Sequence, residues 1–174
     1  MTFDFSSDGL FSQFPPWNGH ASSGFHRGYL GEITDARFIE PGGRLFRKIG
    51  GSEDSQADRY EPGAYPPLIE EIFEWQALLA AVAAAQDRFV MIDAGAGFGR
   101  WLVSAVLALR RKTLEVPYFL IGVEAEPTHF AWMRQHLQTN GIDPSLQQLM
   151  QVAISGETGT AELLFGDDPA SWYG

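Results

Sequence analysis

Cysteine is absent from all 174 residues, which excludes disulfides and thiolate metal sites. Basic residues are scarce: 12 Lys and Arg stand against 22 Asp and Glu, giving a formal net charge of -10 and a pI near 4.7. Binding to nucleic acid or to an anionic bilayer relies on clustered cations, so neither a nucleic-acid partner nor a membrane partner is expected. Long apolar runs are missing as well. The longest, near Leu78 to Ala85 and Trp101 to Leu109, fall well short of the roughly 20 residues that cross a bilayer. The start, Met1-Thr2-Phe3-Asp4-Phe5, lacks the basic head and apolar run of a signal peptide, so a soluble cytoplasmic protein is expected. Internal repeats and low-complexity segments are also lacking.

What remains is an ordinary globular composition, 45% hydrophobic and 13% aromatic, of a length that suits one domain carrying an extension. Residues 1–66 are rich in Gly, Ser, Pro and aromatics without a helical period, which predicts an irregular amino-terminal extension with short strands. Within it, Tyr29 to Ile39 and Arg44 to Ile49 flank Pro41-Gly42-Gly43, a hairpin pattern, and Gly50 to Gly63 reads as a surface loop. The signal changes at Pro67. Leu68, Ile72, Trp75, Leu78, Leu79 and Val82 recur at three- and four-residue steps and predict a helix to about Ala85.

From there strands and helices alternate. Phe89 to Ile92 is a short apolar strand, Trp101 to Leu109 a helix apolar nearly all round, and Pro117 to Val123 a second strand. Pro127 to Thr139 is a second helix, opened by proline and stopped by Asn140-Gly141; Gln148 to Ile154 is a third strand and Thr158 to Phe165 a fourth. Such alternation predicts an α/β domain over residues 67–174 with a parallel, Rossmann-like sheet.

Between the first strand and its helix lies Asp93-Ala94-Gly95-Ala96-Gly97-Phe98-Gly99. Glycines are needed where backbone turns sharply or must approach a ligand closely. The dinucleotide fingerprint, Gly-x-Gly-x-x-Gly, would need a glycine where Arg100 stands, so the fit to a dinucleotide site is poor. Asp93 at the strand end is unfavourable beside a pyrophosphate and acceptable beside a cationic or neutral adenosyl cofactor. Glu124 ends the next strand, where a carboxylate can accept both ribose hydroxyls.

These segments carry a family resemblance. Asp93 to Gly99 resembles the first motif of class I S-adenosylmethionine-dependent methyltransferases. Val123-Glu124-Ala125-Glu126-Pro127 and the run Gln151 to Leu163 are similar to the second-strand and third-strand-plus-hairpin segments of their FkbM-like branch. The resemblance covers about Trp75 to Phe165 and leaves the first 60 or so residues unplaced. It implies a Rossmann-like class I methyltransferase sheet with S-adenosyl-L-methionine as cofactor. Asp93, Ala94, Gly95, Ala96, Gly97, Phe98 and Gly99 would hold its methionine moiety, Glu124 its ribose, and Ala125 and Ala153 its adenine. It further implies O-methylation of a hydroxyl on a sugar, polysaccharide or natural product, hence a small-molecule or carbohydrate acceptor as partner. The family sheet has seven strands. Three core strands and one hairpin strand are counted here, so the sheet is expected to be incomplete at its carboxyl end: a fragment of a longer enzyme, or a truncated product without turnover. No catalytic base is named.

Two other functions compete with the enzyme: a non-catalytic cofactor-binding or assembly module of the same fold, and an NAD-type oxidoreductase, which Arg100 and Asp93 both oppose. Away from the turn, Glu126 reads as a helix-start acid. His20 and His26, with Asp4 and Asp8, have no diagnostic metal spacing and read as polar loop residues. No metal site is expected. His129 and His136 read as solvated, and Trp101 as a core residue.

Overall fold

The computed structural model describes residues 9–39, 58–69, 71–112, 116–160, 162 and 168–171. Three parallel strands organise it. β5 (Phe89–Ala94), β6 (Tyr118–Val123) and β7 (Gln148–Met150) lie in that order, with Phe89 opposite Tyr118 and Val123 opposite Met150. The connection from β5 to β6 runs through helix α2 (Arg100–Arg111), and that from β6 to β7 through α3 (Pro127–Thr139). This is the Rossmann-like arrangement of a mixed α/β chain. No helix among the described residues is long and apolar enough to cross a membrane.

The helices α1 (Ile72–Ala84), α2 and α3 bury one face of this sheet. Phe89 packs with Leu79 and Val82 of α1 and with Ala105 and Leu109 of α2, while Leu120 packs among Leu102 and Val106 of α2 and Met133 and Leu137 of α3. Each such side chain stabilises the fold by roughly 1.5–3 kcal/mol when fully buried. The centre of β6 is a glycine for a packing reason. A Cβ on Gly122 would lie 2.7 Å from Met133 Sδ and 2.9 Å from Leu102 Cδ1, so a larger residue would force these side chains to repack.

Two small antiparallel pairs make up the amino-terminal part: β1 (Gly19–Ala21) with β4 (Arg59–Glu61), and β2 (Phe25–Arg27) with β3 (Ile33–Asp35). The expected hairpin at residues 41–43 and its strand 44–49 lie outside the described residues. Tyr29 to Ile39 is not one strand: Ile33–Asp35 pairs with Phe25–Arg27, and Ala36–Phe38 forms a 3-10 turn capped by the Asp35 carboxylate. Gly50 to Gly63 is not wholly loop, since Arg59–Glu61 is paired. This part shares its core with the α/β unit. Phe11, Phe14, Tyr29 and Leu30 are buried in one cluster with Trp75, Leu79 and Phe89.

Helix α1 begins five residues later than Pro67, because Ile69 N–H bonds the Pro67 carbonyl and Ile72 N–H the Ile69 carbonyl, bonds too short-range to be α-helical. Strand β7 ends at Met150 rather than Ile154. Its partner β6 stops at Val123, after which the Glu124 N–H still reaches the Met150 carbonyl, and among the described residues no strand pairs with residues 151–155. Residues 158–160 are not a strand either; 161 and 163–165 of that expected fourth strand lie outside the described residues.

Candidate functional site

The glycine turn follows β5 directly. Gly95 and Ala96 both donate backbone N–H bonds of 2.9 Å to the Val123 carbonyl at the end of β6, tying the two strand ends together. Gly95, Gly97 and Gly99 all have positive φ, at 79°, 54° and 75°. At Gly99, which precedes α2, two constraints coincide: the left-handed backbone, and a Cβ that would sit 2.9 Å from Met133 Cγ. Phe98 points inward onto Phe38, with ring centroids 5.7 Å apart, and so attaches the turn to the amino-terminal part.

Two carboxylates border this turn. Glu124, nearly buried, accepts hydrogen bonds from Gly97 N–H at 2.7 Å and from Glu126 N–H at 2.8 Å, one on each oxygen. Each oxygen keeps a second lone pair. Asp93 presents the opposite case: its Oδ2 is buried and has no hydrogen-bond partner. Burial, and then the neighbouring Glu124 charge, push the Asp93 carboxyl up to about 6. An orphaned buried oxygen beside a second carboxylate is costly in the free protein and is relieved by a positively charged or hydrogen-donating ligand.

Of the sequence-predicted site residues, Asp93 to Gly99 and Glu124 come together around the turn. Ala125 follows Glu124 in the short link to α3. Ala153 is exposed, three residues beyond the end of β7. Glu126 caps α3, its side chain accepting the His129 N–H at 2.5 Å. Burial alone would raise its carboxyl, but backbone N–H bonds from Thr128 and His129 carry it below the usual carboxylate range.

Two helix histidines are placed differently from the solvated positions expected. His129 and His136 are buried, and His136 stands directly behind the turn. The Phe98 carbonyl can only accept, so His136 Nδ1–H donates to it at 3.1 Å and Nε2 faces the Thr34 hydroxyl at 3.2 Å. Burial pushes the His136 imidazole down to about 4, opposed by its bond to Phe98 and assisted by Arg100. A hydrogen-bonded bridge thus runs from β3 through α3 to the glycine turn. One turn further along α3, Asn140 exchanges two bonds with the Ile33 backbone, of 2.8 and 3.0 Å. A signal for this was present in the sequence. His129, Met133, His136 and Asn140 follow steps of four, three and four, so the polar residues continue the stripe of a core methionine.

Trp101 is half-buried against Trp75, centroids 5.1 Å apart, with the Arg100 guanidinium 4.8 Å over its ring. His20 is exposed on β1 and His26 is buried on β2, so these two lie on short strands rather than in a loop; Asp4 and Asp8 lie outside the described residues. Among the described residues no group of three or more His, Asp or Glu could hold a metal ion.

No protein-family model matches the chain. Over 104 residues it is 30% identical to a protein of Jannaschia sp. (strain CCS1) named "Putative methyltransferase". That match takes in 60% of this chain and 37% of the relative, so the chain spans little more than a third of the relative's length over the matched part.

Proposed function

We propose that the chain carries the cofactor-binding part of a class I, FkbM-like methyltransferase that uses S-adenosyl-L-methionine and methylates a hydroxyl of a sugar, polysaccharide or natural product. The observation that carries this reading is the pair of carboxylates at the glycine turn. Asp93 has an oxygen without a partner and a carboxyl raised to about 6, which suits a cationic ligand and repels a pyrophosphate. The likeness to a protein named as a methyltransferase points the same way.

On this reading the chain's own groups bind and orient. Asp93 and the backbone of Gly95 to Gly99 hold the amino-acid end of the cofactor. Glu124, fixed by two backbone N–H groups, offers its remaining lone pairs to the ribose hydroxyls. Ala125 and Ala153 are assigned to the adenine. The bound cofactor supplies a sulfonium-activated methyl group, whose transfer depends on holding the acceptor oxygen in line at close range. His136 braces the turn from behind through the Phe98 carbonyl, keeping the backbone in place without contacting ligand.

A ligand that binds only the folded protein stabilises it by about 2.7 kcal/mol at a hundredfold excess over its Kd. Thermal unfolding should therefore shift upward with S-adenosylhomocysteine and stay unchanged with NADH. A shift with NADH alone would replace this reading by that of an oxidoreductase.

A further inference from the structure

Away from the glycine turn, the amino-terminal part and α1 enclose a cavity of about 320 Å³. None of Asp93, Gly95 to Gly99 or Glu124 lines it; Arg100, the first residue of α2, is where it comes nearest the turn. The volume falls within the usual range for small-ligand sites. Its walls include the rings of Trp17, Tyr29, Tyr65 and Trp75. Tyr29 is set edge-on to Trp75, centroids 5.2 Å apart, and its hydroxyl is committed to the Phe14 carbonyl, so these faces are fixed before any ligand arrives.

Charge is the unusual feature. Three guanidiniums, Arg27, Arg59 and Arg100, line this one cavity against two carboxylates, Glu32 and Glu61, in a chain whose formal net charge is -10. Arg59 is ion-paired with Glu61, and Arg100 with Glu71 at 2.7 Å. Glu32 is buried, its two oxygens taken by the Leu30 N–H at 3.0 Å and the Ser104 hydroxyl at 2.8 Å. Arg27 differs. It has no carboxylate partner of its own among the described residues. It lies 4.9 Å over the Trp17 ring and spends Nη1 on the Gly31 carbonyl, while Nε is buried without an acceptor. Burial lowers its pKa, and the only charge opposing that is Glu61, which Arg59 already holds. A partly desolvated cation without a counterion is costly, and an anion delivered to the cavity offsets that cost.

We infer that this cavity is a binding site for a small ring compound bearing a single carboxylate, its ring against the aromatic walls and its carboxylate on Arg27. Arg59 and Arg100 are held by Glu61 and Glu71, so Arg27 alone offers a charge-assisted contact, which suits a monoanion; a phosphate dianion would bring a second negative charge beside Glu32 and Glu61. The site requires no bound cofactor.

The probe is 4-hydroxybenzoate, titrated into the 174-residue protein while tryptophan emission and saturation-transfer NMR are followed. The neutral isostere 4-hydroxybenzamide serves as comparison. Charge-assisted hydrogen bonds are roughly twice as strong as neutral ones, so the acid should bind saturably and at least about tenfold tighter than the amide. Arg27→Gln should erase that preference, and Arg27→Lys should keep part of it. Equal affinity for acid and amide, a preference that survives Arg27→Gln, or no saturable binding of the acid would each overturn the assignment. Should Arg27→Gln fail to fold, the acid-to-amide ratio of the unaltered protein decides alone.

Discussion

At the scale of single residues, Asp93 carries the clearest conflict between folding and function. Its carboxyl is raised from the ordinary 3.8 to about 6, so between those values the folded protein binds more protons than the unfolded chain. Stability from this group is therefore greatest at acid pH and falls as pH rises through about 6, by about 3 kcal/mol at neutral pH. Asp93→Asn should raise the melting temperature at pH 7.5, change it little at pH 4, and weaken S-adenosylmethionine binding by tenfold or more. Thermal unfolding at the two pH values, with and without ligand, checks all three. His136 works in the opposite sense. Its folded pKa of about 4 lies below the ordinary 6.5, so its contribution is present above 6.5 and is lost as pH falls toward 4. NMR of the folded protein should show the His136 ring neutral down to about pH 5. The placement of Asp93 and Glu124 beside the turn was legible in the sequence, because each ends an apolar run that reads as a strand. The burial of His136 was legible in its steps from Met133, but its partner Thr34 was not, because that strand lies about 100 residues away and shows no period of its own.

At the scale of elements, long periodic segments were legible and short ones were not. The Pro127–Thr139 helix has the bounds its proline start and Asn140-Gly141 stop predict. Strands β1 to β4 are three residues each, too short for an alternation pattern, and β3 is further held by contact with α3. The bracket between β3 and α3 is the clearest such contact. Asn140→Ala would leave the Ile33 N–H and carbonyl without their partners, costing about 1–3 kcal/mol. That corresponds to a fall of several degrees in melting temperature for a chain of this size. Hydrogen exchange should show faster opening of Ile33 than of the β5 and β6 amides, and an unaltered Ile33 rate would remove the bracket from the account.

At the scale of the whole molecule, the three helices cover one face of the parallel sheet, and among the described residues no element covers the other. Val90 and Ile92 of β5 are 50% and 66% exposed, Phe119 of β6 is 40% exposed, and the outer edge of β5 has no strand beside it among the described residues. Parallel sheets are ordinarily buried on both faces, and an unprotected edge recruits other strands. The 174-residue chain should accordingly bind a hydrophobic dye and self-associate in light scattering, and Ile92→Lys should reduce both without changing the circular dichroism. The sequence predicted a sheet with fewer strands than that of the family it resembles, but not which face stays open. That depends on how α1 docks, which is decided by Tyr29 and Leu30 packing beside Trp75.

Calorimetric titration with S-adenosylhomocysteine tests most directly whether the turn and its two carboxylates form the proposed adenosyl-cofactor cradle. Saturable one-to-one binding is expected, weakened at least tenfold by Glu124→Ala through loss of the charge-assisted bonds to the ribose. No binding, or an affinity unchanged in Glu124→Ala, would contradict it.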